Sequence, residues 1–416
     1  MELKPGHKLT EVGVIPEDWE VSSLGKCCSK ITDGTHDTPQ QVRSGVPYLT
    51  AIHVKKNYID FENCYFLPES IHAEIFKRCN PEQGDVLMVN IGAGVATTAL
   101  VNVNYEFSLK NVALLKPNTQ KLVGEYLNQS QIYRKETIAK SLLSGGAQPF
   151  LSLSQIGRIK IALPPEPEQR SIATALSDMD ELLGGLDRLI TKKRDLKQSA
   201  MQQLLTGNTR LMGFGGRKSY KQTEVGLIPE DWKAAQLGDV AEVIMGQSPK
   251  GSSYNKNGNG TALINGPTEF TDKHPIQIQW TTEPTKLCRA GDLLLCVRGS
   301  STGRMNVSTG EFCIGRGVAA IRANDQSVKD YLTYQVNLAI EKLLALSTGS
   351  TFPSVDGKAI KSIFIPCPEP EEQIAIASIL SDMDTEIATL EQRRNKTRDL
   401  KQAMMQELLT GRIRLL

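Results

Sequence analysis

The sequence has no strong excess of charge of either sign. Among its 416 residues, 48 lysines and arginines are balanced by 46 aspartates and glutamates, which leaves a net charge of +2. Charged residues make up 23% and hydrophobic residues 40%, the proportions of ordinary globular domains. This balance excludes a disordered polymer, a collagen-like fibre and a histone-like polycation. It does not exclude nucleic-acid binding, because a local basic patch is sufficient for that.

Long apolar runs and metal-binding cysteine spacings are absent as well. No stretch approaches the ~20 apolar residues that a membrane helix requires, and residues 1–9 lack the apolar core of a secretion signal. The eight cysteines are scattered, and no pair has the CxxC spacing of a zinc or redox site. We therefore expect reduced, mostly buried thiols, no metal site and a cytoplasmic protein.

Enzyme motifs are incomplete wherever they begin. Residues 89–94 (VNIGAG) resemble a strand that leads into a cofactor-binding glycine loop, but the β-branched and apolar residues 95–103 follow where such a loop requires a helix. Residues 231–233 (DWK) resemble the end of a nuclease motif whose Pro-Asp partner is missing. The five histidines have neither metal-ligand spacing nor a nucleophile context. These absences predict a protein that is not an enzyme by itself and that binds no cofactor.

What the sequence does contain is an internal duplication. Residues 10–19 (TEVGVIPEDW) and 223–232 (TEVGLIPEDW) match at nine of ten positions. The later matches are LSDMD at 176–180 and 380–384, RDLKQ at 194–198 and 398–402, and LLTG at 204–207 and 408–411. Between these blocks only short anchors recur, such as Gly-Asp at 84–85 and 291–292. The chain therefore repeats one scaffold around two different middle segments.

The repeated later blocks predict two long helices. Their apolar residues recur at alternating steps of four and three, the spacing of a coiled coil. These residues are Ile172, Leu176, Met179, Leu183, Leu186 and Ile190 in the first block, and Ile376, Leu380, Met383, Ile387 and Leu390 in the second. Each block begins after a Pro-Glu cluster and ends at a glycine, as helices often do. Each stripe then continues through polar positions, among them Lys197 and Lys401.

The length of these helices favours pairing with each other over packing on separate domains. A stripe of ~35 residues at ~1.5 Å per residue is ~55 Å long, which exceeds the width of a domain of this size. If the two helices pair antiparallel, the second returns the chain to its N-terminal segment.

The segments between the repeats predict mixed α/β domains. Short apolar runs at 85–91, 112–115, 292–297 and 318–321 indicate strands, and 124–143 and 328–346 indicate helices. We predict an α+β fold with two globular mixed α/β domains separated by two long helices, which form an antiparallel coiled coil with pseudo-two-fold symmetry. The predicted segments are residues 1–165, 166–212, 213–367 and 368–416.

Short polar and basic side chains concentrate in the two middle segments. Such groups contact base edges and phosphates in DNA complexes. The candidate DNA-binding residues are Thr35, His36, Thr38, Lys55, Lys56 and Asn90 in the first segment, and Gln247, Ser248, Ser252, Tyr254, Asn255, Arg298, Ser300, Arg304 and Arg316 in the second. The competing interpretation is that these are ordinary solvated turns.

The order of these motifs resembles that of the DNA-specificity subunit of type I restriction-modification enzymes. The motifs that carry the resemblance are the G-[VL]-I-P-E-D-W repeat, the D-G-T-H-x-T-P turn, the G-D-x-L strands, the P-E-P-E-x-Q helix start and the L-L-T-G end. They cover essentially the whole chain. The resemblance implies that residues 1–165 and 213–367 are target-recognition domains, each for one half of a split, asymmetric site on double-stranded DNA.

The same resemblance assigns partners to the helical segments. It implies that residues 166–212 and 368–416 set the gap between half-sites, about one helical turn (~10 bp), and dock two modification (adenine methyltransferase) subunits. A restriction/translocase subunit can join, and catalysis, methyl donor, ATP and magnesium belong to these partners. The alternative is a coiled-coil scaffold with two protein-binding heads and no DNA contact.

Overall fold

The computed structural model describes residues 5–142, 149–215, 219–325, 327–346 and 354–415. These residues form two compact units. The first contains the chain up to Asp187 together with the residues from Gln392 onwards, and the second contains Arg188–Glu391. Each unit therefore combines one middle segment with part of both long helices. No helix in the described ranges is long and apolar enough to cross a membrane.

The first unit contains strands β1–β13 and helices α1–α4, and the next helix, α5, begins in it. Its strands are β1 (His7–Thr10), β2 (Gly13–Pro16), β3 (Glu20–Ser23), β4 (Cys28–Asp33), β5 (Val46–Thr50), β6 (Val54–Lys55), β7 (Tyr58–Ile59), β8 (Tyr65–Leu67), β9 (Val86–Val89), β10 (Thr98–Leu100), β11 (Ser108–Lys110), β12 (Val112–Pro117) and β13 (Lys160–Leu163). Its helices are α1 (Leu24–Cys27), α2 (Glu69–Cys79), α3 (Gly124–Leu142), α4 (Leu153–Arg158) and the start of α5 (Glu166–Leu204), with a 3-10 turn at Ala51–His53.

The second unit contains strands β14–β26 and helices α6–α8, together with the end of α5 and the start of α9. Its strands are β14 (Tyr220–Thr223), β15 (Gly226–Pro229), β16 (Lys233–Gln236), β17 (Ala241–Met245), β18 (Tyr254–Asn255), β19 (Thr261–Ile264), β20 (Trp280–Thr281), β21 (Leu287–Cys288), β22 (Leu293–Cys296), β23 (Met305–Val307), β24 (Phe312–Ile314), β25 (Val318–Ala323) and β26 (Phe364–Cys367). Its helices are α6 (Leu237–Val240), α7 (Lys329–Leu346), α8 (Gly357–Lys361) and the start of α9 (Pro370–Leu408), with a 3-10 turn at Gly251–Ser253.

A four-stranded antiparallel sheet forms the centre of each unit. Its strand order is β10-β9-β12-β4 in the first unit and β23-β22-β25-β17 in the second, so the two sheets correspond strand by strand. A second sheet lies beside each: β11-β5-β8 in the first unit, and β18-β20-β19-β24-β21 in the second. The strands and helices predicted in the middle segments are confirmed.

Burial of both faces explains why the central strands are apolar throughout. Along β9, Val86 and Met88 face a cluster formed with α3 and α5, whereas Leu87 and Val89 face a cluster formed with the second sheet. Strand β22 alternates between two clusters in the same way. A strand covered on both faces needs apolar residues at every position rather than at every second one.

The two long helices are antiparallel where they meet in each unit. Helices α5 and α9 are each 39 residues long. In the first unit Asp180 and Asp187 of α5 pair with Lys401 and Arg394 of α9, at 2.5 and 3.3 Å. In the second unit Lys193 pairs with Glu386 at 2.7 Å and Lys197 with Asp384 at 2.5 Å. As the residue numbers rise along α5, the numbers of their partners in α9 fall, which confirms the predicted antiparallel coiled coil.

Most of the predicted seam residues are buried. Ile172, Leu176, Leu186, Ile190, Ile376, Leu380 and Ile387 are at most 9% exposed, and Met179, Leu183, Met383 and Leu390 are half-buried.

Residues of the repeated sequence blocks form a hydrogen-bonded cluster in each unit. In the first unit the Arg414 guanidinium donates to both oxygens of Asp18 (2.9 and 2.7 Å) and to both of Glu168 (2.6 and 2.8 Å). Glu168, which is 1% exposed, also accepts a hydrogen bond from Trp19 Nε1 at 3.0 Å. The second unit repeats this cluster with Asp231, Trp232, Glu372 and Arg210. The start of one long helix is thus fixed to the end of the other.

The eight cysteines are free thiols, seven of them buried and Cys367 half-buried. Burial raises the pKa of Cys28 to about 12 and the pKa of Cys79 and of Cys296 to about 11. The prediction that these side chains act as small hydrophobic residues is confirmed.

Candidate nucleic-acid interface

One end of the central sheet in the second unit gathers most of the candidate side chains of that unit. Strands β17 and β22 end there, and β23 and β25 begin there, because Met245 lies opposite Ala319, Cys296 opposite Val318 and Leu295 opposite Met305. The loops at this end, which we call the second sheet end, carry Gln247, Ser248, Arg298, Ser300, Arg304 and Arg316.

Hydrogen bonds donated by main-chain amides hold these loops against one another. Gln247 N donates to Ile314 O at 2.9 Å, Arg316 N donates to Ser248 Oγ at 3.2 Å, and Val297 N donates to Gly317 O at 2.9 Å. A glycine is required at position 246, because a Cβ atom there would lie 2.2 Å from Gly315 O. The candidate residues thus share one connected surface.

Two exposed arginines at the second sheet end have no side-chain partner among the described residues. Arg298 and Arg316 are exposed, and within the described part of the chain neither guanidinium forms a hydrogen bond or an ion pair. Arg304 differs, since its guanidinium donates to Phe270 O at 3.2 Å and to Pro267 O at 3.5 Å. Unpaired guanidinium groups are the ones available for phosphates or base edges.

One other basic residue of this part of the chain serves the fold instead. Arg322 is at the opposite end of the sheet, where it donates to Asp292 at 2.7 and 2.9 Å and to Glu242 at 2.9 Å. In the first unit Lys116 pairs with Asp85 at 2.8 Å in the equivalent place. The repeated Gly-Asp anchor therefore serves the fold, because each buried aspartate holds a cation of the neighbouring strand.

Ser252, Tyr254 and Asn255 lie next to the second sheet end, on the 3-10 turn and β18. Tyr254 donates from its hydroxyl to Pro249 O at 3.3 Å, which connects β18 to the loop after Ser248. The Asn255 side chain closes its own turn, since it accepts from Asn257 N at 3.2 Å and donates to Asn259 O at 2.8 Å. Ser252 is exposed.

The first unit places Thr35, His36 and Thr38 at the equivalent end of its sheet, which we call the first sheet end. Strand β4 ends at Asp33 beside the start of β12, and Thr35 N donates to Leu109 O at 2.9 Å. His36 lies 2.9 Å from Asn111 Oδ1 through Nδ1 and 3.2 Å from Asp33 Oδ2 through Nε2. Thr38 Oγ1 accepts a hydrogen bond from Lys110 Nζ.

The other three candidates of the first unit do not join this surface. Asn90 follows β9 but is 4% exposed, and its main-chain oxygen accepts from Leu151 N at 2.8 Å. Lys55 and Lys56 are exposed on the β6–β7 hairpin, whose Asn57 donates to Asp180 Oδ2 of helix α5 at 2.8 Å. A DNA contact by these three residues stays a prediction.

Lys110 and Asn111 are further candidate site residues, which the sequence interpretation missed. Both come directly before β12 and contact the DGTHDTP turn. Their position relative to a strand could have identified them, because Lys110 lies two residues before β12, as Arg316 lies two residues before β25. The sequences of the two middle segments are too different to reveal that Lys110 and Arg316 occupy equivalent positions. This correspondence becomes visible only when the equivalent strands β12 and β25 are compared.

The side chains at both sheet ends are of the kinds that contact nucleic acids in known complexes. Hydroxyl, amide, imidazole and cationic groups dominate, and the described residues include no group of three or more His, Cys, Asp or Glu side chains that could hold a metal ion. After the glycines of residues 89–94 the chain turns back into β10, as expected, instead of starting a cofactor-binding helix.

Comparison with known sequences gives two kinds of match. The family described as "Type I restriction modification DNA specificity domain" matches residues 16–192 and again 229–397. The chain is 33% identical to a Methanocaldococcus jannaschii protein named as the MjaX type I restriction enzyme specificity subunit, over 98% of this chain and 96% of that one. It is 24% identical to the MjaVIII specificity subunit of the same organism, over 96% and 94%.

Solved structures match over nearly the whole chain as well. One comes from a study of complex assembly and conformational transition of a type I R-M system, with 23% identity, coverage of 96% and 99%, and a TM-score of 0.60. Another is the type I restriction-modification S subunit from M. genitalium, with 14% identity, coverage of 96% and 97%, and a TM-score of 0.60. At these identities the likeness concerns the fold.

Proposed function

The chain belongs to the type I restriction-modification DNA specificity family, and from this premise we propose that it recognises a bipartite, asymmetric site on double-stranded DNA, one half-site with each unit. It is a specificity subunit and not a catalytic one. In this proposal the two sheet ends carry the base-reading and phosphate-binding side chains.

The observation that carries the proposal is the pair of equivalent sheet ends with unlike side chains. Thr35, His36, Thr38 and Lys110 lie where the other unit has Gln247, Ser248, Arg298 and Arg316. Base edges are discriminated by the donors and acceptors that a side chain presents. Two surfaces with the same strand framework but different side chains therefore favour two different half-sites, and hence a site that is not palindromic.

The helices support a second part of the proposal, the docking of two modification (adenine methyltransferase) subunits. Exposed residues are identical in the two repeats, including Asp195 and Asp399, Leu196 and Leu400, and Gln198 and Gln402. Two copies of one surface suit two copies of one partner. A restriction/translocase subunit joins these partners, which supply the catalysis, and the complex acts on DNA in the cytoplasm.

The direct test is to map methylated adenines across the genome of the host strain, with and without this gene. We expect one split motif with two unlike halves to lose methylation upon deletion and to regain it when the gene is restored. Loss of a continuous or palindromic motif, or no loss at all, would contradict the proposal.

A further inference from the structure

In each half of the coiled-coil seam, a lysine that continues the apolar stripe pairs with a carboxylate that also binds the middle segment of its unit. In the first unit Lys401 Nζ donates to Asp180 Oδ1 at 2.5 Å, and in the second Lys197 Nζ donates to Asp384 Oδ1 at 2.5 Å. Lys401 is only 7% exposed, and burial lowers its pKa. The side chain of Lys197 is 21% exposed. We call these two pairs the seam junctions.

The second oxygen of each carboxylate attaches the middle segment to the helices. Asp180 Oδ2 accepts from Gln129 Nε2 of α3 and from Asn57 Nδ2 of the β6–β7 hairpin, both at 2.8 Å. Asp384 Oδ2 accepts from the Tyr334 hydroxyl of α7 at 2.7 Å. Lys197 Nζ also lies 5.4 Å from the centre of the Tyr334 ring. One carboxylate per unit therefore connects α5, α9 and a helix that packs on the central sheet.

The duplication makes these pairs selective for one helix arrangement. In a parallel, aligned pairing of the two repeats, Asp180 would face Asp384 and Lys197 would face Lys401, so like charges would meet. In the antiparallel pairing opposite charges meet. A slip along the seam would leave the buried ammonium of Lys401 without its carboxylate, whereas an apolar seam accepts a slip at small cost.

We propose that the seam junctions are specificity-determining elements, which fix the helix register and the attachment of each recognition segment and so set the spacer length accepted between half-sites. The inference rests on the proposed bipartite recognition. This role differs from a merely stabilising one. A loss of stability would lower the methylation rate equally for every spacer length, whereas a loss of helix register would change the ratio of the rates between spacer lengths.

The experiment uses the complex co-purified with its methyltransferase partner. Duplexes carry both half-sites of the mapped motif, with the spacer shortened or lengthened in single-base-pair steps, and methylation rates are compared. For the wild type we expect at least ~10-fold preference for one spacer, in the range of a mismatched position. We expect Lys401→Met to reduce that preference to about 3-fold or to move it to a neighbouring spacer, with unchanged half-site sequences.

Three variants serve as controls. Lys401→Arg keeps the charge and the donor, and should retain the wild-type spacer preference. Lys193→Met removes the ion pair to Glu386, whose side chains are more exposed (30% and 48%) than those of Lys401 and Asp180 (9% and 27%), and should leave the preference unchanged. Lys197→Met tests the second junction and replaces Lys401→Met if that variant does not assemble.

The outcomes separate this inference from the proposed function. An unchanged spacer preference in both Lys401→Met and Lys197→Met, or an equal loss at every spacer, would overturn the inference and leave bipartite recognition intact. A wild-type complex without any spacer preference would overturn both.

Discussion

At the scale of single residues, the side chains shared by the two repeats and those that differ between them have separate tasks. The shared aspartate, tryptophan, glutamate and arginine form the same cluster in each unit, in which the tryptophan and the glutamate are buried. Among the side chains that differ are Thr35, His36, Gln247 and Arg316 at the sheet ends. In the proposed function, stability and recognition are therefore encoded at different positions.

Arg414 provides a test of the shared cluster. Arg414→Ala should lower the free energy of unfolding by about 2–4 kcal/mol, because Glu168 is left buried without its cation. Arg412, two residues earlier, forms an exposed pair with Glu407 at 3.3 Å, and Arg412→Ala should cost less than ~1 kcal/mol. Urea unfolding of both variants measures the difference, and equal losses would contradict the assignment.

The same cluster predicts a dependence of stability on pH. Hydrogen bonds from Arg414 lower the pKa of Asp18 in the folded protein. A carboxyl group with a lowered pKa stabilises the fold above its unfolded value of about 3.9, and that contribution is lost as the pH falls through the folded value. The stability difference between wild type and Arg414→Ala should therefore shrink below pH ~4. Urea midpoints at neutral and acidic pH check this, and a constant difference would argue against it.

At the scale of elements, the glycines that end the two long helices differ in their surroundings from Gly185 within α5. Gly411 ends the α9 segment with φ at +69°, and a Cβ atom there would lie 2.3 Å from Pro16 Cδ. Gly207 ends α5 against Pro229 in the same way. Gly185 lies within α5, and a Cβ atom at that position would meet nothing within 4 Å. The terminal glycines are thus required by geometry, whereas Gly185 is not.

Two glycine-to-alanine variants should therefore have opposite effects. Gly185→Ala should raise the stability by ~0.5–1 kcal/mol, because alanine favours the helix. Gly411→Ala should lower it by ~1–3 kcal/mol through left-handed strain and overlap with Pro16. Thermal or urea unfolding gives both values, and a destabilised Gly185→Ala variant would show that the space beside this glycine is occupied in solution.

At the scale of the whole molecule, the proposed recognition of DNA is divided between two surfaces, one in each unit. Within the described residues, the second sheet end carries Arg298 and Arg316 without side-chain partners, whereas the first presents His36, Thr38 and Lys110. If each surface contacts one half-site, a change at one of them should leave the other half-site unaffected.

The double variant Arg298→Ala/Arg316→Ala tests this separation in the complex with its partners. We expect the logarithmic salt dependence of DNA binding to become shallower by up to about 2, roughly 1 for each phosphate that an arginine no longer neutralises. Scrambling the half-site of the second unit should then cost the variant little, whereas scrambling the other should cost as much as in the wild type. Arg289, exposed at the opposite end of β22, supplies the control Arg289→Ala. Equal losses for both half-sites would contradict separate recognition.

Much of the fold could be predicted because its signals are local. The strand at 86–89, the helix at 124–142 and both coiled-coil stripes follow from runs and periods of apolar residues. The site was predicted only in part. Thr35, His36 and Arg316 were found as polar residues in turns, but burial of Asn90 and the position of Lys55 and Lys56 beside α5 depend on packing that no turn signal encodes.

The sequence by itself determined the duplication, the two long amphipathic helices and the apolar strands, because hydrophobic periodicity is written over a few neighbouring residues. Only the tertiary structure decided which distant groups meet. It brings Arg414 to Asp18, Lys401 to Asp180 and Lys110 to Thr38. Such contacts depend on the antiparallel order of strands and helices. Lys401 is buried and therefore needs a charged partner, and that partner lies far away along the chain.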